Sequence, residues 1–202
     1  MKQGFKAMSI QCDVSDERQV KTMIGKIVVS CGRLDAAYNN AGINSPVAET
    51  ADTSGEGYDR VMNINLRGIW NCMKYELRKM RQQESGAIVN CSSIGRLIGI
   101  AERGVYQASK HGVIGLTKSA ALEYAAKGIN INAACPGIIQ TPMLETITER
   151  EPEALKALIE ELSNRRPRRP EEVARAVLWL CRPAASLVIG YAIAVDGGYT
   201  VK

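Results

Sequence analysis

Short apolar runs alternate with longer stretches of helical periodicity along nearly the whole chain, and this alternation most constrains what the chain can fold into. An apolar run of about four to eight residues between helical stretches fits a strand covered on both faces, and repeated strand and helix units build a parallel sheet. The runs predict strands at 5–12, 34–38, 87–91, 129–134 and 192–195. Helices are predicted at 17–31, 58–80, 106–126, 153–162 and from Pro170 onward. In the long second helix Ile69, Trp70, Met73, Leu77 and Met80 recur at the spacing of a buried face, as do Val113, Leu116, Ala120 and Tyr124 in the third. Lys127-Gly128 supplies a helix stop. Pro170-Glu171-Glu172 is a helix start, with proline early and carboxylates near the positive end of the dipole, followed by Val173, Val177, Leu178 and Leu180.

With 202 residues, 46% of them apolar and 23% charged, the chain suits one globular domain spanning 1–202. Its net charge of +5 is modest, and the one dense basic cluster, Arg165, Arg166, Arg168 and Arg169, is broken by Pro167 and Pro170 and reads as a solvated loop. No nucleic-acid partner is expected, because basic residues are not gathered on a face with stacking aromatics. Six cysteines are scattered without a Cys-x-x-Cys pair or a nearby histidine, so neither a metal site nor a disulfide framework is expected. Cys12, Cys91 and Cys135 lie in strand-like runs, where a thiol serves as a small buried hydrophobe. No apolar stretch approaches the roughly 18 residues of a membrane span, and the first residues carry no signal-peptide core, so a cytoplasmic location is expected.

Ligands of open parallel sheets bind at the carboxyl ends of the strands. Those ends carry Asp13-Val14, Asn39-Asn40-Ala41-Gly42, Ser92-Ser93 and Pro136-Gly137. Any one of them alone is ordinary turn chemistry. Tyr106 and Lys110, four apart, share a helix face. A tyrosine titrates near ~10 unperturbed, and a neighbouring cation favours its ionised form, which a general acid or base at neutral pH needs. Ser93 lies at the end of the preceding strand and Asn65 in the helix before it.

Taken in order along the chain, these motifs resemble the short-chain dehydrogenase/reductase family in its Tyr-x-x-x-Lys form, from Cys12-Asp13-Val14 to Asp196-Gly197-Gly198. The resemblance implies a Rossmann-like doubly wound α/β sheet and an oxidoreductase interconverting a secondary alcohol and a ketone with NAD or NADP. Tyr106 is implied as proton donor or acceptor, with Lys110 lowering its pKa and binding the nicotinamide ribose. Ser93 is implied to hydrogen-bond the reacting oxygen, and Asn65 to hold a water in the proton relay. On the cofactor side the resemblance implies Asp13 and Val14 beside the adenine, and Asn39, Ala41 and Gly42 beside the adenosine. Pro136, Gly137, Ile139 and Thr141 are implied at the nicotinamide carboxamide. Residues 141–169 would form a substrate lid, Ser92 and His111 would take no catalytic part, and the helices bearing Trp70 and Tyr124 would pair subunits in a homo-oligomer, a dimer or tetramer.

One part of the family pattern is not found in these residues. The family's first strands, with a Gly-x-x-x-Gly-x-Gly turn for the pyrophosphate between strand and helix, have no match, and the fold is expected to lack two strands at its amino end. The run 5–12 would then lack a partner, 34–38 would stand at an edge, and stability and cofactor affinity would suffer. Two readings stay open: an oxidoreductase, or a catalytically inactive remnant serving as an interaction or structural module. A methyltransferase on a similar sheet is disfavoured, since it gives the Asn, Ser, Tyr and Lys set no role.

Overall fold

A computed structural model describes residues 6–96, 99–142, 144, 153, 159–160 and 166–201. Four strands, β1 (Ala36–Asn39), β2 (Gly86–Cys91), β3 (Ile129–Pro136) and β4 (Ala192–Val195), pair in chain order, all parallel. Helix α1 (Glu17–Cys31) precedes β1. Helices α2 (Gly55–Met62) and α3 (Gly68–Gln83), joined through a π-helical turn at Asn63–Arg67, lead to β2. Helix α4 (Gly104–Tyr124) connects β2 to β3, and α5 (Pro170–Leu180) precedes β4.

Strand alternation sends Ile88, Ile129 and Ile131 to one face of the sheet. There they meet Val20 and Ile24 of α1, Ile69, Met73, Leu77 and Met80 of α3, and Val113 and Ala120 of α4. Val89 and Ala134 turn to the other face and meet Val173, Val177 and Leu180 of α5. Helices thus cover both faces, as a doubly wound sheet requires. Among the described residues no helix is long and apolar enough to cross a membrane.

The structure departs from the sequence reading in several places. Residues 6–12 form no strand; a strand exists only through its ladder, and β1, the nearest strand in the chain, pairs only with β2 among the described strands. Half-buried Cys12 and Val14 pack against the α1 and α3 core instead. The predicted helix 58–80 is two helices, because the π turn inserts an extra residue and changes the phase. Within α3, Trp70 lies about 100° round the helix from buried Ile69 and is 43% exposed. Leu178 likewise lies outside the buried face of α5. Arg168, read as solvated, is 5% exposed: its backbone pairs with the chain around Ile139, and its guanidinium donates to the carbonyls of Arg166 (2.6 Å) and Asp196 (3.3 Å). The predicted helix 153–162 and most of the lid 141–169 lie outside the described residues.

A chain of buried polar side chains ties the layers together. Asn39 at the end of β1 donates to Glu76 of α3 (3.0 Å) and to Asn90 of β2 (3.0 Å), and Asn90 donates to Thr117 of α4 (2.9 Å). Glu76 is 3% exposed, and burial pushes its carboxyl from 4.5 up to about 7, against the lowering hydrogen bond from Asn39. The folded protein therefore holds this proton more tightly than the unfolded chain. The stability it confers is fully present below 4.5 and is lost as pH rises through about 7. Glu76→Gln removes that dependence, so its stability relative to the parent should rise by up to roughly 3 kcal/mol between about pH 5 and pH 8.5. Urea denaturation at both pH values measures it, and equal slopes for the two proteins would contradict the assignment.

Candidate active site

The carboxyl ends of β1 and β2 and the first turns of α4 meet at one place. Tyr106 lies in the first turn of α4, and Lys110 one turn later on the same side of the helix. Lys110 is 4% exposed, and its Nζ donates to the carbonyl of Cys91 at the end of β2 (3.0 Å), standing 5.7 Å from the centroid of the Tyr106 ring. Ser92 Oγ donates to the Lys110 carbonyl (2.9 Å), clamping α4 to β2 from the backbone side. The next residue, Ser93, hydrogen-bonds the Tyr106 hydroxyl.

Burial governs the electrostatics of this cluster. It pushes the Tyr106 phenol above its ordinary value, against the lowering hydrogen bond of Ser93, with the Cys91 thiol adding to the rise and the Arg103 charge opposing it. The same burial draws the Lys110 ammonium below its ordinary value, partly offset by the thiols of Cys91 and Cys135. The net direction at Tyr106 is thus upward, the reverse of the lowering expected from Lys110. Desolvation here outweighs the neighbouring charge.

Asn65 is fully buried in the π turn and directs its side chain into the loop after β1. Its Oδ1 accepts from the Ile43 amide (2.8 Å), and its Nδ2 donates to the Ile43 carbonyl (2.9 Å) and to Ser109 Oγ (3.2 Å). Ser109 in turn donates to the Tyr106 carbonyl (2.7 Å). Asn65, Ser93, Tyr106 and Lys110 are therefore brought together, with Gly42 beside Asn65 and Lys110. A Cβ on Gly42 would lie 3.3 Å from Asn65 Oδ1 and 3.5 Å from Lys110 Nζ. That bare backbone beside a buried ammonium makes a cradle suited to a ribose hydroxyl, so the residues fit the nicotinamide end of a dinucleotide.

The remaining residues expected to bind cofactor divide. Gly137 backs against Asp196, donating its amide to the Val195 carbonyl (3.2 Å). Arg168 bonds Ile138 and Gln140, leaving the Ile139 amide on the opposite edge, while Thr141 Oγ1 donates to the Ile139 carbonyl (3.2 Å). Ala41 is exposed beside Gly42. The Asn39 side chain, by contrast, is buried and committed to Glu76 and Asn90, so only its backbone can meet a ligand. Asp13 accepts from the amide and hydroxyl of Ser15 (2.9 and 2.7 Å), and Val14 packs on Gly68 of α3, where a Cβ would lie 2.7 Å from Val14 Cγ2. His111 is exposed and lies within hydrogen-bond distance of the Gln107 carbonyl (2.9 Å). No cluster of histidine, cysteine and carboxylates suited to a metal occurs among the described residues.

Sequence reasoning missed Ser109, Asn90 and the structural part of Ser92. Their small polar side chains carry no individual motif; only their adjacency to Lys110, Cys91 and Ser93 signals them.

A family model described as enoyl-(acyl carrier protein) reductase matches residues 1–200. The cyclohexanol dehydrogenase of Acinetobacter sp. (strain SE19) is 42% identical over 199 residues, covering 98% of this chain and 77% of that protein. The cis-4-hydroxycyclohexanecarboxylate dehydrogenase of Sinomonas cyclohexanicum is 41% identical over 199 residues, covering 98% and 78%. Among solved structures, ElxO with NADP bound is 38% identical with a TM-score of 0.89, covering 96% of this chain and 78% of that one.

Asn65→Ala should leave the amide and carbonyl of Ile43 without partners, at a cost of about 1–3 kcal/mol for each group that stays buried. Thermal denaturation, with amide exchange at Ile43, checks this. An unchanged melting temperature with protected Ile43 would contradict the brace.

Proposed function

The chain belongs to the short-chain dehydrogenase/reductase family, and we propose that Asn65, Ser93, Tyr106 and Lys110 are its catalytic residues. The protein is an NAD(P)-dependent oxidoreductase that interconverts alcohols and ketones. Its substrate, on our reading, is a cyclic secondary alcohol or the matching ketone, a class supported by the names of the two dehydrogenases to which it is similar. The observation that carries the assignment is the Ser93 hydroxyl on the Tyr106 phenol, with the Lys110 ammonium buried one helical turn away.

In the reducing direction Tyr106 hands its proton to the carbonyl oxygen, while Ser93 donates a hydrogen bond to the same atom where negative charge develops. Oxidation reverses both roles. A bound nicotinamide would supply or accept the hydride. Lys110 binds the adjoining ribose and returns a proton toward Tyr106; Asn65 holds the water of that relay. Gly42, Ala41 and the backbone of Asn39 would hold the adenosine, Asp13 and Val14 the adenine, and Pro136, Gly137, Ile139 and Thr141 the carboxamide. Burial thus favours the neutral form of both groups, raising the phenol and lowering the ammonium.

We further propose a homo-oligomer, supported by the exposed Trp70 of α3 and the almost fully exposed Leu122 of α4. A cytoplasmic location suits six cysteines that are all free thiols.

Tyr106→Phe should lower turnover of cyclohexanol and cyclohexanone by at least about 10²-fold, with the circular dichroism spectrum unchanged. Steady-state assays with NAD and NADP measure this. Retained turnover in the variant would remove Tyr106 from the chemistry, and activity with neither nucleotide in the parent would remove the proposed substrate class.

A further inference from the structure

The residue at the amino cap of α4 is Arg103. That position calls for a side-chain oxygen to receive the free amides of the first turn, whereas a guanidinium has five donors and no acceptor. Arg103 does not cap the helix. Its Nη1 instead donates to the carbonyl of Ser45 (2.8 Å), in the loop that leaves β1 just beyond Gly42. A second bond joins the same two segments, from the Ala48 amide to the Glu102 carbonyl (3.2 Å). Glu102 holds a φ of 61°, a left-handed conformation that a glutamate adopts only when its surroundings impose it. Two successive residues thus break local preference at the turn from which Tyr106 projects, and such local violations gather at functional sites.

Among the described residues no carboxylate lies within ion-pair reach of Arg103. The groups facing the Tyr106 phenol are Ser93 and Cys91 from the end of β2, and Arg103 and Lys110 from α4, the ammonium of Lys110 lying 5.7 Å from the ring centroid. The loop after β1 presents Gly42, Ile43, Asn44 and Ser45 here, none of which titrates.

We propose that Arg103 is a positioning residue for Tyr106: its guanidinium pins the first turn of α4 to the loop at Ser45 and stands as a second cation near the phenol. The proposal rests on the reading of Tyr106 as the proton donor and acceptor. It separates two duties that Lys110 alone would otherwise carry. Lys110, held by the Cys91 carbonyl, fixes the inner end of the site, and Arg103 fixes the outer end. Its charge opposes the rise that burial and the Cys91 thiol impose on the phenol.

The test needs no turnover. The near-ultraviolet absorbance of tyrosinate is titrated in the parent, in Arg103→Gln and in Arg103→Lys, each against the same protein carrying Tyr106→Phe, so that the difference reports Tyr106 alone. Arg103→Gln should titrate at higher pH than the parent, and Arg103→Lys where the parent does. Both should exchange the Ala48 amide faster, because neither side chain reproduces the guanidinium fork. At neutral pH the oxidation of cyclohexanol should fall roughly three- to tenfold in kcat/KM in Arg103→Gln and be restored in Arg103→Lys. A Tyr106 titration unmoved in Arg103→Gln, or moved as far in Arg103→Lys, would overturn the proposal. Should Arg103→Gln not fold, Arg103→Lys decides: an unmoved titration with faster Ala48 exchange supports it, and a moved one overturns it. Since the titration is read without substrate, an error in the proposed substrate class leaves its outcome intact.

Discussion

A lysine ammonium buried against a strand-end carbonyl is the interaction on which the rest of the site depends. Lys110 keeps its Nζ on the Cys91 carbonyl while almost no solvent reaches it, and burial of that kind is costly unless the cation finds oriented acceptors. The end of a parallel strand supplies one, because the last carbonyls of β2 are no longer needed by a ladder. To hold the lysine there, α4 must lie at a fixed height over β2. The Ser92 hydroxyl on the Lys110 carbonyl adds a second bond from the same strand end to the helix backbone. Tyr106, one turn earlier, then falls opposite Ser93 without further adjustment.

Beneath this lies a layer of buried polar side chains. Glu76, Asn39, Asn90 and Thr117 join α3, β1, β2 and α4 by side chains alone, directly under the residues that face the cleft. A carboxyl buried without a cation makes that layer sensitive to pH in a way that an apolar core would not be. The arrangement resembles a joist set below a floor: the strands could pair without it, but the relative height of their ends would be free to drift.

Much of this was legible in the sequence, because strand and helix periods are written in apolar spacing and strand-end turns in glycine, proline and asparagine. The strands at 87–91, 129–134 and 192–195 follow from those signals, and the Asn65, Ser93, Tyr106 and Lys110 grouping was implied by the family resemblance. What was not legible depends on neighbours that a linear pattern does not contain. The run 5–12 has the composition of a strand, yet its described residues 6–12 form none, since pairing is decided by what lies alongside. Asn39 sits in a motif suggestive of ligand contact, but strand alternation turns its amide inward to Glu76. Arg168 looked solvated until the returning chain paired with Ile139 and carried its guanidinium under Gly197. Trp70 was misjudged by a single residue of phase.

Upstream of Trp70 the same helical segment passes through the π turn at Asn63–Arg67. One added residue rotates everything after it by about 100° relative to everything before it. The turn therefore acts as a gear between two requirements: Asn65 must face the loop at Ile43, and Ile69, Met73, Leu77 and Met80 must face the sheet. Asn65 and Ile69, four residues apart, share one side of the helix, so the contact with the loop and the contact with the core are set together. In such a molecule the route to altering the active-site loop and the route to repacking the core pass through the same five residues, so neither can be changed independently of the other.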